Sequence, residues 1–359
     1  MNVFYLIIFL LIFHETSAQR DSVACYYNTY WDEVDKKKDA AYFRVGKSKK
    51  DKWEGIVRDY YISGKLQMAA TFVGDKEEGK VTYFYENGNV KAVGEYSGGY
   101  KTGLWKSYRQ DGIIEEEGEY REGLHAGYWK YYYPNGNLEK EGDEEFGNTK
   151  GSWKFYYCNG TSKEVKEYIR DSKNKLIEEK LLSAGDSLGN TFVTDGNGVY
   201  TGYSKRWQGI ETGMYRDGLR EGVWKGGVEG KRRYTEEYKD GKLLKGESWD
   251  DDENKYTYTA IYVDPEYVGG MQELMNYLKN NIRYPRAAAR KNIQGRVYIE
   301  FFVNDLGNVY GAFVKRGVHS ALDGEALRVV ERMPKWKPAL VRGQIAKAKF
   351  ILPVNFKIQ

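Results

Sequence analysis

Glycine recurs along this chain at a fixed step of 24 residues. Gly64, Gly88, Gly112, Gly136 and Gly160 form one column, and Gly55, Gly79, Gly103, Gly127 and Gly151 form a second. Bulky residues keep the same step: Tyr60, Phe84, Tyr108, Tyr132 and Tyr156 in one column, Val57, Val81, Trp105, Trp129 and Trp153 in another. A repeat of this length is one supersecondary unit that cannot bury its apolar face alone, so neighbouring copies must stack. Within Gly127–Gly136, strand alternation puts Trp129, Tyr131 and Tyr133 on one face and Lys130 and Tyr132 on the other. Asn135-Gly136 then reads as a hairpin turn of type I′, repeated at Asn87-Gly88, Asp111-Gly112 and Asn159-Gly160. Leu66, Val90, Ile114 and Leu138 supply the apolar position on each returning strand. The expected fold is therefore mainly β, a stacked β-hairpin array in which the aromatic columns form the core of a thin sheet.

The register predicts repeats over 51–162. A degenerate copy over 198–259 follows, since Gly213, Tyr215, Gly218, Gly222 and Trp224 match Gly118, Tyr120, Gly123, Gly127 and Trp129 at a constant offset of 95. The stretch 163–197 lacks the columns and reads either as an insertion or as decayed repeats. Ahead of the array, Val3 to Phe13 is an unbroken apolar run followed by Thr16-Ser17-Ala18-Gln19. This reads as a signal peptide (1–18) cleaved after Ala18, with 19–50 as lead-in. As a helix the run is roughly 16 Å long, against a hydrocarbon core of about 30 Å, too short to anchor the chain comfortably.

Composition changes near residue 260. Five of the 6 prolines lie beyond it, and the last hundred residues carry 16 Lys and Arg against 8 Asp and Glu, so a formal charge of +4 for the whole chain conceals a basic C-terminal domain. Met271, Leu274, Met275 and Leu278 have helical spacing, opened by Gly269-Gly270 and closed by Tyr284-Pro285. Val297, Ile299, Phe301 and Val303 alternate as a strand, and Asn304 to Asn308 turn it into a second one ending near Lys315. Ser320 with Asp323 opens a second helix, which Pro334 ends. Ala346 to Phe356 alternate as a last strand, where Pro353 favours an edge because proline lacks the N–H that a central ladder needs. The domain over 260–359 is thus a small α+β unit: helix, β-hairpin, helix, edge strand.

These residues carry two resemblances. The 24-residue units are similar to MORN-type repeats of the bacterial variant, with G-x-W-x-x-Y-Y-x-N-G followed by the pattern seen at Gly94-Glu-Tyr96 and Gly118-Glu-Tyr120. The segment 269–358 resembles the C-terminal domain of TonB, an adaptor of Gram-negative envelopes. It does so through Gly269-Gly270, Tyr284-Pro285, Ile293-Gln294-Gly295, Asn304-Asp305-Leu306-Gly307, Glu325-Ala326-Leu327, Met333-Pro334-Lys335-Trp336 and Phe350 to Phe356. That resemblance implies docking of an extended peptide of an outer-membrane transporter by strand addition, with Asn281, Ile282, Arg283 and Tyr284 as the partner-contacting stretch. On the edge strand, Lys347, Lys349 and Ile351 are the further candidates, the lysines either attracting an acidic peptide or guarding the edge against aggregation. It implies a periplasmic or envelope location and a link to transmembrane transport. The scarcity of proline before residue 260 departs from the family's Pro-rich spacer, a place the repeat array would take.

No nucleophile, phosphate-loop or His-based motif is present, so the reading is a non-enzymatic adaptor without cofactor or metal. His14, His125 and His319 lack His or Cys neighbours at ligand spacing, and Cys25 and Cys158 are unassigned thiols. Nothing demands nucleic acid. The alternative is a structural or binding scaffold whose array contacts glycan, lipid or protein.

Overall fold

The computed structural model describes residues 23–358 apart from 30, 32, 36, 205–208 and 229–232. The apolar run and its cleavage site lie outside the described residues. The chain is mainly β and divides into two compact units, Met1–Thr191 and Phe192–Gln359. In the first, strands from Val23–Tyr27 to Leu176–Gly185 each pair antiparallel with the next in sequence. Strands Ser162–Arg170 and Leu176–Gly185 carry this ladder through the stretch where the columns fail.

The tryptophan column works with a glycine column that faces it. A Cβ on Gly94, Gly118 or Gly142 would lie 2.1, 2.3 or 2.5 Å from the indole of Trp105, Trp129 or Trp153. Only a bare backbone lets the ring lie flat across the strand. Each indole N–H then donates to a main-chain carbonyl, of Glu95, Glu119 and Asp143, at 3.1, 3.1 and 2.9 Å. The second glycine column makes room along the chain: Glu117 pairs with Lys130 and Glu119 with Ala126, so Gly127 to Trp129 bulge opposite Gly118, with Gly127 at φ 67°. Cations cover the rings, Lys101 over Trp105 at 4.2 Å and Lys140 over Trp153 at 5.3 Å. His125 stacks on Trp129 at 3.6 Å and bonds Glu144 and the Tyr120 hydroxyl at 3.0 and 2.9 Å. These tryptophans are core, as the alternation requires. Successive units are also tied at their loops, where the hydroxyls of Tyr61, Tyr85 and Tyr133 each donate 2.8 Å to the carbonyl of Phe84, Tyr108 and Tyr156.

The turn assignment needs correcting. At Asn135-Gly136 only the glycine has positive φ, and the Gly136 N–H donates to the Tyr133 carbonyl while the Tyr133 N–H donates to Asn137. This is a three-residue loop, a type I turn closed by a left-handed glycine. The type I′ turns lie at the opposite ends of the strands: Glu122-Gly123 and Phe146-Gly147 have both central residues at positive φ, between the pairs Arg121↔Leu124 and Glu145↔Asn148.

In the second unit, strands from Asn197–Ser204 to Lys255–Tyr258 have the same pattern, with Gly213 beneath Trp224 and Arg220 over its ring at 4.0 Å. The α+β fold follows. A first helix (Gly270–Asn281), a short helix (Arg286–Arg290) and a last helix (Ser320–Glu331) cover one face of a three-stranded antiparallel sheet. In that sheet a central strand (Gly295–Val303) lies between a hairpin strand (Val309–Arg316) and the closing strand (Ala348–Phe356). Its core joins Val297, Ile299, Phe301 and Val303 to Leu322, Ala326, Val329, Leu352 and Val354. The last helix is capped by His319, whose Nδ1 accepts the Ala321 N–H at 3.2 Å, rather than by Ser320. Asp323 instead accepts the Val318 N–H at 2.9 Å.

A second hairpin, Ala339–Val341 with Gln344–Ala346, docks on the last strands of the array. Its tip residue Arg342 is buried, with its guanidinium 3.4 Å over the Tyr234 ring and Nε 2.7 Å from Oε1 of Glu236. Glu236 is fully buried and also accepts the hydroxyls of Tyr238 and Tyr258 at 2.9 and 2.8 Å. Ser248 donates to the Arg342 carbonyl at 2.7 Å, and Gln344 donates to Ser248 at 3.0 Å. The closing strand starts two residues after this clamped hairpin.

Candidate functional site

The three-stranded sheet has two outer edges, and they differ. The hairpin strand meets the central strand with register shifts at Tyr298/Ile299 and Glu300/Phe302, and Gly311 sits at φ 60°. Such bulges twist an edge and spoil it as a template for another strand. The closing strand pairs through nine consecutive positions, Gly295↔Phe356 to Val303↔Ala348, without a break. No strand pairs on its other side among the described residues. Pro353 sits at this edge, where a missing N–H is tolerated. A straight, unpaired edge of this length offers alternate N–H and C=O groups to an incoming backbone.

Side chains divide as the pleat demands. Ala348, Leu352, Val354 and Phe356 are buried, and Lys349, Ile351, Pro353 and Asn355 are exposed. Lys349 lies 3.6 Å from Glu300, which also binds Lys315 at 2.8 Å. The Lys315 hydrogen bond holds the Glu300 carboxyl below the usual range. Lys349 is thus already engaged, whereas Lys347 stands exposed between the two strands.

The stretch Asn281–Tyr284 follows the first helix and is tied to the last one. The Asn281 carbonyl accepts from Arg328 at 2.8 Å, and the Arg283 N–H donates to Oε1 of Glu325 at 2.6 Å. Ile282 packs on the core, and Tyr284 donates to the Ile293 carbonyl at 2.6 Å with its ring edge-on to Phe356, centroids 5.9 Å apart. Tyr284 therefore marks the end of the closing strand. Lys347 precedes its start, roughly 30 Å away at about 3.3 Å per residue. The two groups of candidates flank one edge from opposite ends.

Glu325, a carrier of the resemblance but not among the candidate site residues, is the side chain that ties this stretch to the last helix. The Arg328 hydrogen bond holds its carboxyl below the usual carboxylate range; burial opposes this, and the Arg283 N–H adds to it. A depressed folded pKa means the tie is fully present above the ordinary glutamate value of about 4.3 and is lost as pH falls through the folded pKa. We expect the Arg283 amide resonance to be flat above pH ~5 and to move only at lower pH, with Glu325→Gln abolishing that titration. A shift of the Arg283 amide near neutral pH would contradict this assignment.

Two family models match the chain. Residues 280–358 match the Gram-negative bacterial TonB protein C-terminal family. Residues 77–97, 101–122 and 127–143 match the MORN repeat variant. Both lie in the expected order, within narrower limits than the sequence patterns suggest. No curated protein matches the chain.

Proposed function

We propose that this chain is an exported, non-enzymatic TonB-like adaptor of the Gram-negative envelope. Its closing strand accepts an extended peptide of an outer-membrane transporter or another envelope protein by strand addition, in a role linked to transmembrane transport. The observation that carries this reading is the unbroken nine-residue register of the closing strand beside an unpaired outer edge. The match to the TonB C-terminal family supports it. Main-chain hydrogen bonds supply the affinity, each worth about 1 kcal/mol net, so the contact is modest and reversible. A peptide must run most of the strand to reach both Lys347 and Tyr284.

Isothermal titration of the full chain against extended peptides from outer-membrane transporters tests it. We expect binding by a subset of the peptides. N-methylation of alternate peptide amides should abolish that binding in one parity and spare it in the other, because only every second residue of an added strand faces the edge. Absence of binding across the panel, or equal sensitivity in both parities, would overturn strand addition.

The scaffold reading has its own support. Ile56, Leu104, Tyr128 and Val223, each directly after a glycine of the bulge column, are exposed in the array. Retention of an envelope protein by full chain whose docking edge is saturated with peptide would favour it.

A further inference from the structure

The helices cover one face of the three-stranded sheet, and its other face carries a pattern that peptide docking does not use. Phe302 lies between the buried Phe301 and Val303, and Phe313 between Ala312 and Val314, which pack on the core, so both point away from the helices. Tyr310 joins them, its ring 5.6 Å from that of Phe302. Tyr310 and Phe313 are 45% and 47% exposed, unusual for aromatic side chains in a sheet with a well-formed core.

Cations gather on the same face. The register shift at Tyr298/Ile299 places Arg316 opposite the outward-facing Tyr298. Arg296 pairs with Asn355, and its Nε donates to the Asn355 Oδ1 at 2.6 Å, which fixes the guanidinium through one nitrogen. Arg296, Arg316 and Lys357 line one open concavity in which no carboxylate takes part. None of the three forms an ion pair among the described residues, unlike Lys315 and Lys349, which share Glu300. The cations lie towards one end of this face and the Phe302–Tyr310 pair at the other, with Phe313 and the Glu300 carboxylate, neutralised by Lys315 and Lys349, between them. Three uncompensated cations on a face that also bears exposed aromatic rings complement a surface that is anionic outside and apolar beneath.

We propose that this outward sheet face is a membrane-contact surface for anionic phospholipid. The phosphates meet Arg296, Arg316 and Lys357, while Phe313 and Tyr310 enter the headgroup boundary. The contact lies beside the peptide-accepting edge and does not depend on it. Basic residues near an anionic bilayer each contribute about fivefold in affinity, so the three together account for about a hundredfold.

The test is co-sedimentation of the full chain with vesicles of phosphatidylglycerol and phosphatidylcholine, one part to two, against phosphatidylcholine alone. We expect binding to the mixed vesicles that weakens as salt is raised, and little binding to the neutral ones. The triple variant Arg296→Gln, Arg316→Gln, Lys357→Gln should lose about a hundredfold. Phe313→Ser should lose about tenfold through the apolar part. A charge-matched control, Arg290→Gln, Lys291→Gln, Lys335→Gln, should bind as the parent does. All these side chains are exposed, so unchanged melting curves establish that each variant is folded. Failure to bind mixed vesicles, equal binding to neutral ones, or an equal loss in the control variant would each overturn the assignment.

Discussion

Replacing Arg342 by alanine is expected to cost about 3–5 kcal/mol of the stability of the second unit. The loss comes less from the attraction of the pair than from what remains: Glu236 is fully buried, and without the guanidinium its charge has only the Tyr238 and Tyr258 hydroxyls. Glu236→Ala should cost a similar amount by taking the counter-charge from Arg342, which is buried over the Tyr234 ring. Glu236→Leu with Arg342→Met should be far milder than the sum of the two single losses, because neither partner is left unpaired. Urea unfolding followed by hydrogen exchange at 233–258 and 339–346 reads both the loss and its place. Additive single losses would show that the two side chains do not act as a pair. The same pair argues that residues 260–359 are not a self-sufficient fragment, since cutting there removes Glu236, Tyr234 and Ser248 from around the docked hairpin.

The second large effect is expected at Gly118. A Cβ there would stand 2.3 Å from the Trp129 indole, so Gly118→Ala must displace a ring that is only 1% exposed. Overpacking of this kind costs about 1–3 kcal/mol, occasionally more. Trp129→Ala should cost about 3–5 kcal/mol through the cavity it leaves. In the double variant the clash has no partner, so the penalty of Gly118→Ala should largely vanish. Far-UV circular dichroism in a urea series, with exchange protection over 114–132, measures all three variants. If Gly118→Ala is as costly without the indole as with it, the glycine serves backbone conformation and not the ring.

How much of this was legible beforehand varies with the range of the interaction. The hairpins, the core tryptophans and the edge position of the last strand follow from local pattern, because alternation and glycine spacing act over a few residues. The turn chemistry differs: Asn-Gly is a strong type I′ signal, yet at Asn87, Asp111, Asn135 and Asn159 the side-chain Oδ1 accepts the N–H two residues on and the chain uses a three-residue loop. True type I′ turns occur at Glu122-Gly123 and Phe146-Gly147, where only the glycine hints at them. His319 was unreadable as a helix cap because histidine is not a favoured capping residue. Next to the first helix, Glu325 could not be assigned to Arg283, 42 residues away. A faint signal for the buried pair did exist, since Tyr234, Glu236 and Tyr238 share one strand face, and a carboxylate between buried tyrosines requires a partner.

By itself, the sequence determined a stacked hairpin array with a small α+β domain after it, aromatic columns as the core of that array, and a closing strand suited to an edge. Each is a matter of period, side-chain volume and a missing N–H, properties that residues carry with them. Only the tertiary structure decided which edge is straight and which is bulged, how the hairpin bearing Arg342 meets Glu236, and which cations on the outward sheet face lack a carboxylate. Those depend on distances between residues far apart in the chain, and a charge or an edge has meaning only once its neighbours are in place.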